Sequence, residues 1–241
     1  MQIGSTKWGA IITEGAAIHG VCVSAEQMTA FAAHAQSLLL WNQRINLTRI
    51  VAADEVAIRH FVDSLALVPH LHGCQTIMDI GTGGGFPGMV VAVMMPESRV
   101  VMVDAVRKKI SFLQYLIRMR GISNAEAIHA RAEAVPHIQQ YKRGVDAVVS
   151  RAFGDLPATL HVAAPLAGEN TRIIAMRGPR GATECADFMA SSERDAIEKA
   201  LGFPITVRVS AFHLPRGHGQ RHLLIFERKR WPGSSAMGGH L

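Results

Sequence analysis

Ile77-Met78-Asp79-Ile80-Gly81-Thr82-Gly83-Gly84-Gly85-Phe86-Pro87-Gly88 is the stretch on which the fold turns. Its first four residues are short and apolar with a single acid, as in a buried strand. Glycines follow, and Pro87 suits the first turn of a helix running through Met95. Glycine after a strand lets a ligand approach bare backbone, with amide groups at the helix start. A tight turn without a ligand would gain nothing from four glycines in five residues, which weaken a fold entropically.

Two nucleotide patterns fit. Gly83, Gly85 and Gly88 satisfy GxGxxG, the dinucleotide fingerprint. Asp79, Gly81, Gly83 and Gly85 satisfy acid-x-GxGxG. Placement favours the second, because the strand ends at Gly81 and, counted from there, Phe86 stands where a third glycine belongs. A carboxylate at Asp79 also suits a ligand bearing an ammonium group and would repel a pyrophosphate. S-adenosyl-L-methionine carries an ammonium and a sulfonium and no phosphate. Asp104 ends the next strand, where it can accept hydrogen bonds from both ribose hydroxyls. NAD offers the same hydroxyls, so Asp104 points to a nucleoside without choosing it; Asp also commonly caps helices.

Outward from the loop, strands are expected at Arg99–Asp104, Ala125–Ala130, Asp146–Ser150 and Thr171–Met176, with helices at Arg107–Arg120 and Glu184–Ala200. This alternation predicts an α/β fold with a mostly parallel sheet. Ile205–Leu214 and His222–Glu227 close it as an antiparallel hairpin, which makes one strand antiparallel to the rest. Upstream, Ser24 and Gln27 stand in capping-box spacing before an amphipathic helix over 24–44, and a second helix starts after Asp54 and stops near Val68, before Pro69. The expected organisation is an N-terminal extension over 1–23, a helical cap over 24–75, a catalytic domain over 76–230 and a flexible Gly/Ser-rich tail over 231–241.

The chain has 241 residues, 49% of them hydrophobic and 18% charged, the balance of a globular protein with a core. Lys and Arg outnumber Asp and Glu by 25 to 19, an excess that suits a polyanionic partner. Cys22, Cys74 and Cys185 show no CxxC spacing, so neither a disulfide frame nor a zinc ribbon is indicated, and a reducing cytoplasm is the expected setting. No signal peptide or membrane span is read. His213, His218 and His222 lie close together, but no acid or cysteine joins them, so no metal is expected and they read as polar surface.

The chain resembles the bacterial small-subunit ribosomal RNA methyltransferase G family, also called glucose-inhibited division protein B. The segments that carry the resemblance are Trp41-Asn42 through Asn46-Leu47-Thr48, Arg59-His60 with Asp63-Ser64, the Gly81–Gly88 loop, Ser150-Arg151-Ala152 and Arg221-His222-Leu223. Together they span roughly residues 38 to 228. The resemblance implies a seven-stranded Rossmann-like methyltransferase fold. It also implies S-adenosyl-L-methionine as cofactor and transfer to N7 of a guanine in the 530 loop of 16S rRNA. The partner is then 16S rRNA or the small ribosomal subunit, with no DNA and with the enzyme a monomer. Family cofactor positions fall on Gly81, Phe86, Ala132, Glu133 and Arg151. Substrate contacts are expected from Asn46, His60, Arg177, Arg216 and Arg221. Where the family usually has Lys-Gly after the fifth strand, this chain has Arg177-Gly178, and a planar fork is not equivalent to an ammonium.

The chemistry fits the absence of an obvious catalytic dyad. Guanine N7 has a free lone pair, so transfer needs alignment and closeness, not a general base. The chain lacks the Pro-Cys nucleophile of pyrimidine methylation and the Asn/Asp-Pro-Pro-aromatic motif of exocyclic amine methylation. Arg151, after the fourth strand, should sit beside the cofactor and contact a phosphate or guanine O6. Alternatives are methylation of another RNA or a small molecule, an NAD-dependent oxidoreductase, and a non-catalytic RNA-binding protein.

Overall fold

The computed structural model describes residues 1–141 and 144–229. The expected tail, residues 231–241, and Arg230 lie outside the described residues. Seven strands form one sheet in the order β3-β2-β1-β4-β5-β7-β6. They are β1 (Thr76–Ile80), β2 (Arg99–Asp104), β3 (Ala125–His129), β4 (Val145–Arg151), β5 (Ala167–Arg177), β6 (Ile205–His213) and β7 (Gln220–Arg228). The pairings β1–β2, β1–β4, β2–β3 and β4–β5 are parallel. β7 runs antiparallel to both β5 and β6, so it is the one reversed strand. Val100 to Val103 are fully buried, as expected of a strand covered on both faces.

One face of the sheet is covered by α7 (Leu156–Ala163), α8 (Gly181–Met189) and α9 (Ser192–Leu201), which contribute to the core around Met78, Val101 and Val148. α7 is a short helix not singled out from sequence, N-capped by Asp155. The single helix expected over 184–200 is two, because Ser191 is extended (φ −93°, ψ 159°) and interrupts it.

The opposite face carries α5 (Gly88–Met94) and α6 (Arg107–Arg120), with the N-terminal helices α1 (Thr6–Ile18) and α2 (Ala25–Asn42) beyond them. α2 begins with the expected capping box between Ser24 and Gln27. α6 ends at Gly121 with φ +62°, a left-handed cap that glycine adopts without steric cost. The helix after Asp54 is present as α3 (Ala53–Val56), a π segment (Ala57–Val62) and α4 (Asp63–Leu65). The N-terminal helices have no separate core. Trp8, Phe31 and Phe61 belong to the same cluster as Phe86, Phe112 and Ile225.

Residues 1–23, weak in sequence signal, therefore do more than extend the chain. Trp8 on α1 is fully buried, donates from Nε1 to the Ala53 carbonyl at 2.9 Å and meets Phe61 edge-on at 5.5 Å. The same face carries Ile11, Ile12, Gly15 and Ala16, and it packs closely: a Cβ on Gly15 would lie 2.4 Å from a Val62 methyl. Among the described residues no helix is long and apolar enough to cross a membrane.

Candidate functional site

The chain leaves β1 for β2 on one side and later places β4 on the other, so the strand order reverses between β1 and β4. In such sheets the ligand crevice lies outside the carboxyl ends at this switch point. A crevice of about 290 Å³ is there, lined by Gly81, Asp104, Lys109, Ala132, Glu133 and Ala152 among others. Gly81 has φ +73°, and a Cβ there would lie 2.6 Å from the Phe153 ring, so only glycine fits without displacing that ring. Asp104 is almost wholly buried. Its Oδ2 accepts from the Gly83 amide at 3.0 Å and from Lys109 Nζ at 3.3 Å, and its Oδ1 accepts from the Val106 amide at 2.8 Å.

The other loop residues face away from this crevice. Asp79, expected to meet an ammonium group, is fully buried, and its Oδ2 accepts from the Gly88 amide at 2.8 Å. Its Oδ1 has no hydrogen-bond partner among the described residues. Burial pushes the carboxyl up to about 6. Asp79 thus ties the loop to the start of α5. Gly85 (φ +90°) lets the loop pack against the cap, since a Cβ there would be 2.8 Å from Leu113 and 3.4 Å from His34. Phe86, expected at the cofactor, has its ring stacked between His34 (4.5 Å between centroids) and His60 (4.4 Å). Its side chain locks the loop to the cap.

A second cleft, of about 460 Å³, opens between the cap and the ends of β4, β5 and β7. Its lining includes His60, Asp63, Arg151, Ala152, Arg177 and Arg221. The Arg151 side chain lies here, not in the crevice where its assignment as a cofactor residue would put it. Arg151 donates to the Arg59 carbonyl at 2.8 Å, to Asp63 Oδ2 at 3.4 Å and to His60 Nδ1 at 3.1 Å, and it lies 5.3 Å from the Phe86 ring centroid. A guanidinium can only donate, so His60 Nδ1 is the acceptor and the ring proton sits on Nε2. Nε2 then donates to Thr48 Oγ1 at 3.0 Å. Burial, reinforced by the Arg151 guanidinium, pushes His60 down to about 2, and burial takes His34 down to about 4. Both rings are neutral at pH 7.

Asp63 is 5% exposed and meets a second guanidinium, with Arg221 Nε 3.7 Å from Oδ1. Burial raises the Asp63 carboxyl, and Arg151 and Arg221 oppose that rise.

Of the expected substrate residues, His60, Arg177 and Arg221 line this second cleft and Asn46 and Arg216 do not. His60 has both ring nitrogens committed within the chain. Arg177 is buried at 8% exposure, donating to the Gly154 carbonyl at 3.1 Å and to Thr159 Oγ1 at 2.8 Å; a guanidinium so bonded braces the β5 end and offers little to a phosphate. Asn46 is exposed and is absent from the lining of either cleft. Arg216 is exposed at the β6–β7 turn with φ +58°. Arg221, at the start of β7, reaches the Asp63 cluster. His222 is not polar surface: it is buried, and Nδ1 donates to the Gly178 carbonyl at 2.9 Å. Trp41 packs against Phe112 and Tyr115. Among the described residues no group of three or more His, Cys, Asp or Glu side chains is placed to hold a metal.

Sequence reasoning missed Asn42, whose Oδ1 accepts from the Leu47 and Thr48 amides and shapes that turn. It also missed Ala152, which lines both clefts with a left-handed φ of +56°. A non-glycine residue in that conformation costs about 1–2 kcal/mol and marks a functional position when held by its surroundings.

The sequence profile described as GidB, rRNA small subunit methyltransferase G, matches residues 27–202. A ribosomal RNA small subunit methyltransferase G of Geobacter sulfurreducens is 42% identical over 214 residues, covering 89% of this chain and 94% of its own. The protein of that name from Myxococcus xanthus is 34% identical over 211 residues, covering 87% and 92%. An O-methyltransferase of Bacillus cereus, solved in complex with SAH, shares the fold at a TM-score of 0.51 and 18% identity, covering 80% of this chain and 90% of its own.

Proposed function

The chain belongs to the rRNA small subunit methyltransferase G family, and on that premise we propose that it methylates N7 of a guanine in the 530 loop of 16S rRNA. The observation that carries this reading is the meeting of two clefts at Ala152. One is a nucleoside-sized crevice with a carboxylate, and the other a cationic cleft open to a polyanion. In this reading the crevice takes S-adenosyl-L-methionine, with Asp104 at the ribose and Ala132 and Glu133 at the base. The cleft takes the target nucleotide, with Arg221 and Arg216 toward the RNA.

The loop also argues against a dinucleotide. The Gly81 and Thr82 amides donate to the Val103 carbonyl, those of Gly85 and Phe86 to Thr82, that of Gly83 to Asp104 and that of Gly88 to Asp79. Few amides remain to cradle a pyrophosphate, the role such loops play in dinucleotide sites. The residues present fit a cationic, phosphate-free ligand better.

When bound, S-adenosyl-L-methionine supplies a methyl group already activated on a sulfonium. The chain's own part is then to bind, orient and exclude water. Guanine N7 carries a lone pair, so no side chain need take a proton to start the reaction. This agrees with histidines that are neutral, buried and bonded on the cap side. Holding nucleophile and methyl in line near 3 Å supplies the main advantage as a proximity effect. The protein acts as a monomer in the cytoplasm.

The test is methyl transfer from labelled S-adenosyl-L-methionine to 30S particles and to naked 16S rRNA, followed by mapping of the modified nucleotide by cleavage at N7-methylguanine. One labelled guanine in the 530 loop is expected. Label elsewhere, or tight binding of NAD in a parallel titration, would replace the reading.

A further inference from the structure

We propose that Asp63 is a positioning residue for methyl transfer, holding the Arg151 and Arg221 guanidiniums as a pair so that Arg221 presents its remaining donors to an RNA phosphate beside the target base. The proposal rests on the reading above. Three parts of the chain meet at this carboxylate: the cap helix, the end of β4 and the start of β7. Each oxygen faces one arginine, Oδ2 toward Arg151 at 3.4 Å and Oδ1 toward Arg221 at 3.7 Å.

The two arginines are not held alike. Arg151 has further anchors in the Arg59 carbonyl and His60 Nδ1. Arg221 has one hydrogen bond of its own, to the Gln220 carbonyl at 3.0 Å. The direction of the Arg221 fork toward the cleft therefore depends on Asp63. The charges of Arg151, Arg221 and Asp63 sum to +1, so the cluster accepts one anionic group without leaving a charge unpaired. An RNA phosphate has that charge, and its oxygens match the planar fork of arginine. Removing the carboxylate would leave two guanidiniums facing each other, and the less anchored Arg221 would turn away.

The experiment compares wild type, Asp63→Asn, Arg221→Gln and the double variant, with Asp63→Glu as a second probe. It reads thermal midpoint, cofactor affinity by calorimetry, and kcat and KM on 30S particles. Asp63→Asn is expected to keep cofactor affinity and to raise KM for the particle by about tenfold or more, equivalent to about 1.4 kcal/mol. In the Arg221→Gln background the same change should raise KM by less than about twofold, because coupled neighbours are not additive. Should Asp63→Asn fail to fold, Asp63→Glu keeps the charge but displaces it, and is expected to show the same dependence on Arg221. A KM unchanged in Asp63→Asn, or an equal effect in both backgrounds, overturns the proposal, since a carboxylate that served only stability would not depend on Arg221. Wild type that labels no guanine N7 defeats the function reading; active wild type without the coupling defeats the Asp63 assignment alone.

Discussion

The crevice beside Asp104 and the cleft beside Asp63 share a wall at Ala152 but are made of different materials. The crevice is drawn from strand ends and the turns that follow them, with Lys109, Arg131, Glu133 and Phe153 standing among backbone and small side chains, and its Asp104 orders the Gly83 and Val106 amides. The cleft is made of long charged side chains from segments far apart in sequence, with Arg151 reaching back 88 residues to Asp63. The first can form as soon as the sheet forms. The second exists only once the cap is docked. Cofactor binding and RNA binding should therefore respond to different perturbations.

The largest effect is expected from Arg151→Ala. It would leave Asp63 buried with only the more distant Arg221, and breaking a buried pair costs about 3–5 kcal/mol. Urea unfolding should show that loss, methylation should disappear, and cofactor affinity should survive. A stable Arg151→Ala protein would mean that the cap does not depend on the cleft. Asp104→Ala addresses the other side. It should weaken S-adenosyl-L-methionine binding by about 1–3 kcal/mol, the scale of lost hydrogen bonds to a charged group, with unchanged affinity by calorimetry as the contrary result.

How far sequence reached follows the same division. The β1 loop, Asp104, α6 and the reversed strand were legible because each depends on residues near one another in the chain. Ser24 and Gln27 marked a helix start for the same reason. Asp79, Phe86 and Gly85 lie inside the motif, but which way they face depends on the cap, so their expected contact with the cofactor gave way to buried packing. Arg177 and Arg221 were both cationic strand-end residues in sequence. Only the fold shows that Thr159 and Gly154 occupy the first while Asp63 lies 3.7 Å from the second. α1 went unread although Trp8, Ile11, Ile12, Gly15 and Ala16 repeat at helical spacing, because its outward face is also largely apolar, with Ala10, Ala17 and Ile18 exposed, and the two faces contrast weakly.

Acid should loosen the cap before the sheet. His60 and His34 have folded values near 2 and 4 against 6.5 unfolded. Their contribution is whole above pH 6.5 and falls as pH drops below it, because the unfolded chain takes up protons that the folded one cannot. Asp79, raised to about 6, acts the other way, since the folded chain gains a proton as pH passes below 6 while the unfolded chain does not until near 3.8. The net loss between pH 7.5 and 5.5 should be about 1–2 kcal/mol. Chemical denaturation at the two values checks it, and a flat profile would place these histidines in wetter surroundings. Smallest of all, Arg216→Ala at the exposed β6–β7 turn should reduce the slope of log affinity against log salt by about one, with stability and cofactor affinity intact.

The π segment Ala57–Val62 sets a rule of length in the helix that carries Arg59, His60 and Asp63. A π turn holds about one residue more than an α turn, so deleting one residue would return the segment to ordinary α-helix and leave the residues after it near their present direction. Asp63 would keep its reach to both arginines. His60 sits inside the wide turn, where its ring stacks on Phe86 and bonds Arg151 and Thr48. The extra residue thus serves that ring and not the carboxylate, so a homologue one residue shorter in this stretch should keep the Asp63 cluster and lose the His60 contacts.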